Sequence, residues 1–308
     1  MTTTRTPEID SWKGIYPALC TPFSEDGEVD LDAQRRVVRF AIEAGAHGLV
    51  AFGLAGEVLK LSGAERRSLT STILEETAGR VPVFVGAGAE SLGTSRELAL
   101  HAEREGASCI VLPTPVSARL GAGALVDYFV SVAASVSVPV MIQDAPAYLG
   151  QTVGIDAFRR IAERAPNVRL VKLEAGPAEL STWIEALGSE FTVWGGDAAM
   201  YLLDSVRIGA AGLIPGVDLV DFLVDVYEAE AAGDSARADE LFRRILPVIL
   251  FEIQHSIDHF NHCAKLVLQR RGVLATPGLR PPSDHFPAAS RRLLEDHLEA
   301  LGLTSAVG

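Results

Sequence analysis

What most limits the folds open to this chain is an alternation. Short apolar runs fall at 14–20, 48–53, 81–85, 109–112, 138–142, 169–173, 191–194 and 212–214, at intervals of roughly 20 to 35 residues. Between them lie helical patterns. Val37, Phe40, Ala41 and Ala44 share one face, and Ser62-Gly63-Ala64-Glu65 is a capping box that opens the next helix. Further helical patterns cover 91–105, 124–136, 155–165, 178–187 and 198–208. Strands that are apolar throughout, each followed by a helix, belong to a parallel sheet covered on both faces. Eight such units point to an α/β chain closed into a (β/α)8 TIM barrel; an open doubly wound sheet is the alternative the pattern leaves.

From Val217 the pattern is helical only. Leu241, Ile245, Val248 and Ile249 form an apolar stripe, 254–271 reads as a second helix, and 290–301 follows the Pro-rich connector 277–287. The expected organisation is a loose segment over 1–12, a barrel over 13–216, and the final barrel helix plus a C-terminal helical extension over 217–308. That extension suits oligomer contacts and has no evident part in chemistry.

With 48% apolar and 22% charged residues, the chain can bury a sizeable core. A formal charge of −13 and a pI near 5.0 argue against nucleic acid or an anionic membrane as partner. Cys20, Cys109 and Cys263 are far apart and odd in number, so neither a disulfide framework nor a paired-cysteine metal site is expected. No apolar run approaches the roughly 20 residues that cross a bilayer, and the polar start lacks the apolar core of a signal peptide. The expected location is the cytoplasm. Gly86-Ala87-Gly88 lacks the third glycine of a dinucleotide loop, Ser91 standing in its place, so no nicotinamide or other cofactor is expected. His255, His259 and His262 share a helix face, but without a His-Glu-x-x-His pattern a polar helix or subunit contact is expected there rather than a metal.

Chemistry is expected where barrel strands end, on the C-terminal face. The sixth run, Val168-Arg169-Leu170-Val171-Lys172-Leu173, carries a lysine inside an apolar stretch, and it is the only lysine at any of these strand ends. Burial disfavours an ammonium, and a neutral amine in a dry pocket is a nucleophile that forms a Schiff base with a carbonyl. The alternative is a strand-end lysine that reaches solvent or pairs with Glu174. Gly53-Leu54-Ala55-Gly56-Glu57, after the second run, can converge backbone N–H groups on a carboxylate, or can be only a tight turn. The other strand ends supply Gln143 and Asp144, Glu174, Gly196 and Asp197, and Ile214.

With those residues placed, the chain resembles the pyruvate-dependent Schiff-base (class I) aldolase family that includes N-acetylneuraminate lyase and 4-hydroxy-tetrahydrodipicolinate synthase. The likeness runs from Tyr16-Pro17-Ala18-Leu19 and Thr21-Pro22-Phe23, through Gly53-Leu54-Ala55-Gly56-Glu57, Leu61-Ser62 and Gly86-Ala87-Gly88, to Gly209–Pro215 and Leu279-Arg280-Pro281-Pro282. Lys172 stands where that family carries its Schiff-base lysine, and the resemblance implies a homotetramer or homodimer of barrels. Three departures bear on function. Leu54 and Ala55 replace hydroxyl residues in the carboxylate-binding turn, Gln143 replaces the tyrosine of the fifth strand, and Pro113-Thr114-Pro115-Val116 lacks the tyrosine that follows the fourth. The synthase's proton relay is therefore absent. Gln143-Asp144-Ala145-Pro146 and the Lys172–Glu174 spacing look more like the branch containing 2-keto-3-deoxyarabonate dehydratase.

The implied activity is a Schiff-base lyase acting on a small-molecule 2-oxo acid, by aldol cleavage of a 4-hydroxy-2-oxo acid to pyruvate and an aldehyde. Dehydration of a 2-keto-3-deoxy sugar acid, the synthase reaction and a non-catalytic relative are the alternatives. Lys172 and Gln143 are the expected catalytic residues. Leu54, Ala55, Gly56, Glu57, Asp144, Glu174, Gly196, Asp197 and Ile214 are the expected substrate contacts, with protons moved by water, by the substrate's own groups, or by carboxylates such as Glu57, Asp144 or Glu174.

Overall fold

The computed structural model describes residues 7–254 and 256–303. Eight parallel strands form one sheet: β1 (Gly14–Ile15), β2 (Leu49–Ala51), β3 (Val83–Gly86), β4 (Cys109–Pro113), β5 (Val140–Asp144), β6 (Val168–Leu173), β7 (Thr192–Gly195) and β8 (Gly212–Leu213). From β2 to β8 each strand pairs with its neighbours in sequence, and β1 pairs with β8. Ala18 closes the circle by bridging Val50 on one side and Gly216 on the other, and the Leu19 N–H donates to Val50 O at 2.8 Å. The result is a TIM barrel with C-terminal helices. The first run expected over 14–20 is laddered only at Gly14–Ile15, because Pro17 has no N–H to donate and reduces the remainder to the two bridges at Ala18.

Alternation along the strands divides the apolar residues into two populations. One face packs under the helices. The other fills the barrel with Tyr16, Val50, Phe84, Val111, Met141, Leu170, Trp194 and Ile214, and the rings of Tyr16, Phe84 and Trp194 meet with centroids 4.8 to 5.9 Å apart. The loose segment expected over 1–12 needs correction where it is described. Pro7–Ser11 is a helix, and Ile9 and Trp12 are buried against the same interior cluster, Trp12 meeting Phe84 edge-on at 4.9 Å. Apolar side chains at the barrel's N-terminal mouth would otherwise face water, so this short amphipathic turn plugs it.

Beyond β8 the chain runs through helices Val220–Ala231, Ser235–Ile253, Ile257–Arg270 and Ala288–Leu301. Ser256 caps the third of these, accepting from the His259 N–H, so that helix starts later than the expected 254. None of the described helices is long and apolar enough to cross a membrane.

Candidate active site

Period-two alternation carries the barrel floor upward into the site. Lys172 lies two residues beyond the interior Leu170, and Gln143 two beyond Met141, so both side chains enter the barrel one layer above the apolar floor. The register sets Gln143, Lys172 and Trp194 side by side on β5, β6 and β7. Lys172 is 7% exposed. Its Nζ is 2.5 Å from Glu174 Oε1, so the pairing weighed as the alternative does occur, but inside the barrel mouth rather than at the surface.

Glu174 gathers three donors. Oε1 also accepts from Gln143 Nε2 at 3.2 Å, and Oε2 accepts from the Asp197 backbone N–H at 2.5 Å. Gly196 explains how this fits. A Cβ at that position would lie 2.0 Å from Glu174 Oε2, so Gly196 acts by leaving room for the carboxylate and does not line the cleft itself. The next three residues, Asp197, Ala198 and Ala199, all have positive φ (48°, 52° and 63°), a left-handed turn that delays the expected 198–208 helix until Leu202. Left-handed backbone costs non-glycine residues roughly 1–2 kcal/mol each. Here it accompanies an Asp197 carboxylate turned into the cleft, where Oδ1 accepts from Tyr148 Oη at 3.3 Å. Burial, and then the neighbouring Glu174, pushes the Asp197 carboxyl up to about 6.

The cleft around Lys172 is walled by Ala18, Gly53, Leu54, Ala55, Tyr148, Glu174, Asp197, Ala198 and Ile214-Pro215-Gly216. Ile253, Ser256, Ile257 and Phe260 complete it. The C-terminal extension, expected to stand apart from chemistry, thus forms one wall of the cleft.

Leu54–Gly56 is a single 3-10 turn. The Gly56 N–H is occupied by Gly53 O at 2.9 Å, which removes it from the expected carboxylate-binding set. Among the described residues, the N–H groups of Leu54 and Ala55 have no protein acceptor. Two further expectations are corrected. Glu57 has a left-handed φ of 51° and turns away from the cleft, where Lys265 Nζ meets Oε1 at 2.6 Å while Lys60 Nζ and the Arg280 N–H reach Oε2 at 3.1 Å. Asp144 accepts from Thr152 Oγ1 and from the N–H groups of Val153 and Gly154, tying down the loop after β5. Glu57 is saturated chiefly by the C-terminal extension and Asp144 by the loop that follows it. Gln143 touches the site through Glu174 alone.

Tyr148 was not singled out by sequence. The Pro146 that starts its one-turn helix Pro146–Leu149 was legible, but the direction of the tyrosine is not. Of the expected histidine face, His255 lies outside the described residues. His259 Nε2 contacts Phe251 O and His262 Nε2 contacts Asp284 O, and no metal-binding group of His, Cys, Asp and Glu occurs among the described residues.

Comparison with known proteins identifies the family of the chain. The model of the dihydrodipicolinate synthetase family matches residues 11–301. The chain is 31% identical to the L-2-keto-3-deoxyarabonate dehydratase of Azospirillum brasilense over 92% of this chain and 91% of that protein. It is 30% identical to the 4-hydroxy-tetrahydrodipicolinate synthase of Methanopyrus kandleri, over 94% and 97%. Among solved structures, YagE from E. coli K12, in complex with pyruvate, superimposes with a TM-score of 0.88 at 27% identity, over 95% of this chain and 99% of that one. The chain belongs to the dihydrodipicolinate synthetase family, whose members are lyases and dehydratases.

Proposed function

We propose that this enzyme cleaves a 4-hydroxy-2-oxo acid to pyruvate and an aldehyde through a Schiff base on Lys172. The observation that carries the reading is one lysine amine inside the cleft, 2.5 Å from a carboxylate that shares the same opening. The substrate carboxylate takes the free N–H groups of Leu54 and Ala55. Lys172 passes a proton to Glu174, the free amine attacks C2, and water leaves to give an iminium. That iminium accepts the electrons of the C3–C4 bond, which is the reason for using an amine. The departing water carries off the proton that Glu174 took, so Glu174 is reprotonated from solvent before it delivers a proton to C3, and hydrolysis then releases pyruvate. Glutamine is neither acid nor base, so Gln143 serves by holding Glu174 Oε1. Glu174 fits the proton-carrying role because Glu57 and Asp144 are bound elsewhere.

The described lining offers one cation, Lys172, against two carboxylates, Glu174 and Asp197. This favours a substrate with a neutral, hydroxylated or cationic distal end over one with a second carboxylate. Dehydration of a 2-keto-3-deoxy sugar acid is the second reading, favoured by the likeness to the Azospirillum dehydratase. A lactate dehydrogenase-coupled assay on 4-hydroxy-2-oxopentanoate and 2-keto-3-deoxyarabonate separates the two. Pyruvate released in step with aldehyde supports cleavage, substrate loss without pyruvate supports dehydration, and no turnover of either contradicts both. Assembly as a homodimer or homotetramer is part of the proposal, and Leu59, 66% exposed, is the kind of side chain a subunit contact would cover.

A further inference from the structure

Aldol cleavage must also remove the proton of the C4 hydroxyl, and Glu174 is engaged with the nitrogen of Lys172 at the other end of the reacting bonds. We propose that Tyr148, hydrogen-bonded to Asp197, is a catalytic residue that takes the C4 hydroxyl proton while handing its own proton to Asp197. The inference rests on the Schiff-base reading above.

The placement follows from the cleft. A substrate held by its carboxylate at Leu54 and Ala55, with C2 at Lys172 on β6, has C3 and C4 left to place, and Tyr148, beyond β5, and Asp197, beyond β7, line the same cleft on either side of that strand. Both are held in place. The one-turn helix bearing Tyr148 ends at Gly150 (φ 71°), Arg119 Nη1 donates to Leu149 O at 3.0 Å, and Asp144 grips the loop that follows. Asp197 sits in the left-handed turn with its N–H on Glu174.

In cleavage the C3–C4 electron pair enters the iminium to form the enamine, and the C4–O pair closes to the aldehyde. The hydroxyl proton moves to Tyr148 Oη as the tyrosine proton moves to Asp197 Oδ1, and after the aldehyde leaves Asp197 loses it to water. No other reactant is needed. The groups facing Asp197 are Glu174, Lys172, Tyr148 and Glu179. Together with burial they leave a carboxylate that is more basic than usual, at about 6, yet largely ionised at neutral pH. Burial and the same two carboxylates push the Tyr148 phenol up, so it acts only by exchanging protons and not as a free phenolate.

The test uses Tyr148→Phe, which removes one oxygen, and Asp197→Asn, because asparagine tolerates a left-handed φ. With pyruvate, borohydride trapping and C3 hydrogen–deuterium exchange should stay within about twofold of wild type in both variants. Pyruvate release from 4-hydroxy-2-oxopentanoate and 2-keto-3-deoxyarabonate should fall about 10^2-fold in Tyr148→Phe, the ordinary scale of general acid–base catalysis. The acidic limb of kcat/KM near pH 6 should vanish in Asp197→Asn. A Tyr148→Phe enzyme that cleaves at the wild-type rate overturns the inference, as does one that loses trapping and cleavage in parallel. A wild-type enzyme that forms the adduct but cleaves neither acid overturns it too. Failure of the wild-type enzyme to form any adduct would instead strike the Schiff-base reading itself.

Discussion

Two lysine–glutamate pairs of nearly the same length have opposite surroundings in this molecule. Lys265 and Glu57 meet at 2.6 Å with side chains 1% and 0% exposed, while Lys172 and Glu174 meet at 2.5 Å with side chains 8% exposed each. The first pair is saturated. Lys265 also donates to Gly278 O, its ammonium lies 4.5 Å from the centre of the Phe23 ring, and Glu57 holds Lys60 and the Arg280 backbone. It ties the turn after β2 to the Ile257–Arg270 helix and to the segment beyond it. The second pair opens on the cleft, and among the described residues Lys172 Nζ has no other partner. Burial and pairing alone therefore do not make a lysine reactive. The reactivity proposed for Lys172 needs an unsaturated end that a ligand can reach, which Lys265 lacks.

The contrast can be broken from either side. The sealed pair should govern stability: Lys265→Met or Glu57→Gln leaves an uncompensated buried partner, at a cost of about 3–5 kcal/mol. Thermal scans should show a large fall in Tm, where Glu174→Gln should show almost none. The open pair should govern turnover: Glu174→Gln should lower kcat by about 10^2 to 10^3-fold, the scale of losing a positioned acid–base group. If Glu57→Gln costs activity but no stability, the assignment of the two pairs is reversed.

A third buried pair sharpens the comparison because it has no lysine. The carboxyls of Asp218 and Glu252, each 2% exposed, face one another behind the wall formed by Ile253 and Phe260. Burial first, and then their mutual repulsion for Glu252, pushes both above the usual carboxylate range. A carboxyl with a higher pKa folded than unfolded holds its proton more tightly in the folded chain. Its contribution is present below the unfolded value and is lost as pH rises through the folded one. Glu252→Gln should accordingly lose less of its Tm than wild type as pH rises above the ordinary carboxylate range. Equal slopes for the two proteins would show that the pair does not share a proton. The smallest effect is local: Ser62→Ala removes the capping box observed at Ser62 and Glu65 and should cost about 1 kcal/mol, read in the same scans, with no change in turnover.

How much of this was legible beforehand divides along the range of the interactions. The barrel follows from apolar runs and helical spacing, the capping box from four adjacent residues, and the position of Lys172 from its place near the end of an apolar run. Local patterns carry those. The roles of Glu57 and Asp144 were misread because their partners, Lys265 and the 152–154 loop, arrive only through tertiary packing. The wall supplied by Ile253, Ile257 and Phe260 was missed for the same reason, since an apolar helix face does not say what it packs on. Tyr148 was hidden by a one-turn helix too short to show a period.

The most direct measurement is borohydride reduction in the presence of pyruvate, followed by peptide mapping of wild type and Lys172→Ala. The account predicts one reduced pyruvate per chain, on the peptide carrying Lys172, and no adduct and an on the order of 10^4-fold loss of turnover in the variant. An adduct on another lysine, or full turnover by Lys172→Ala, would contradict it.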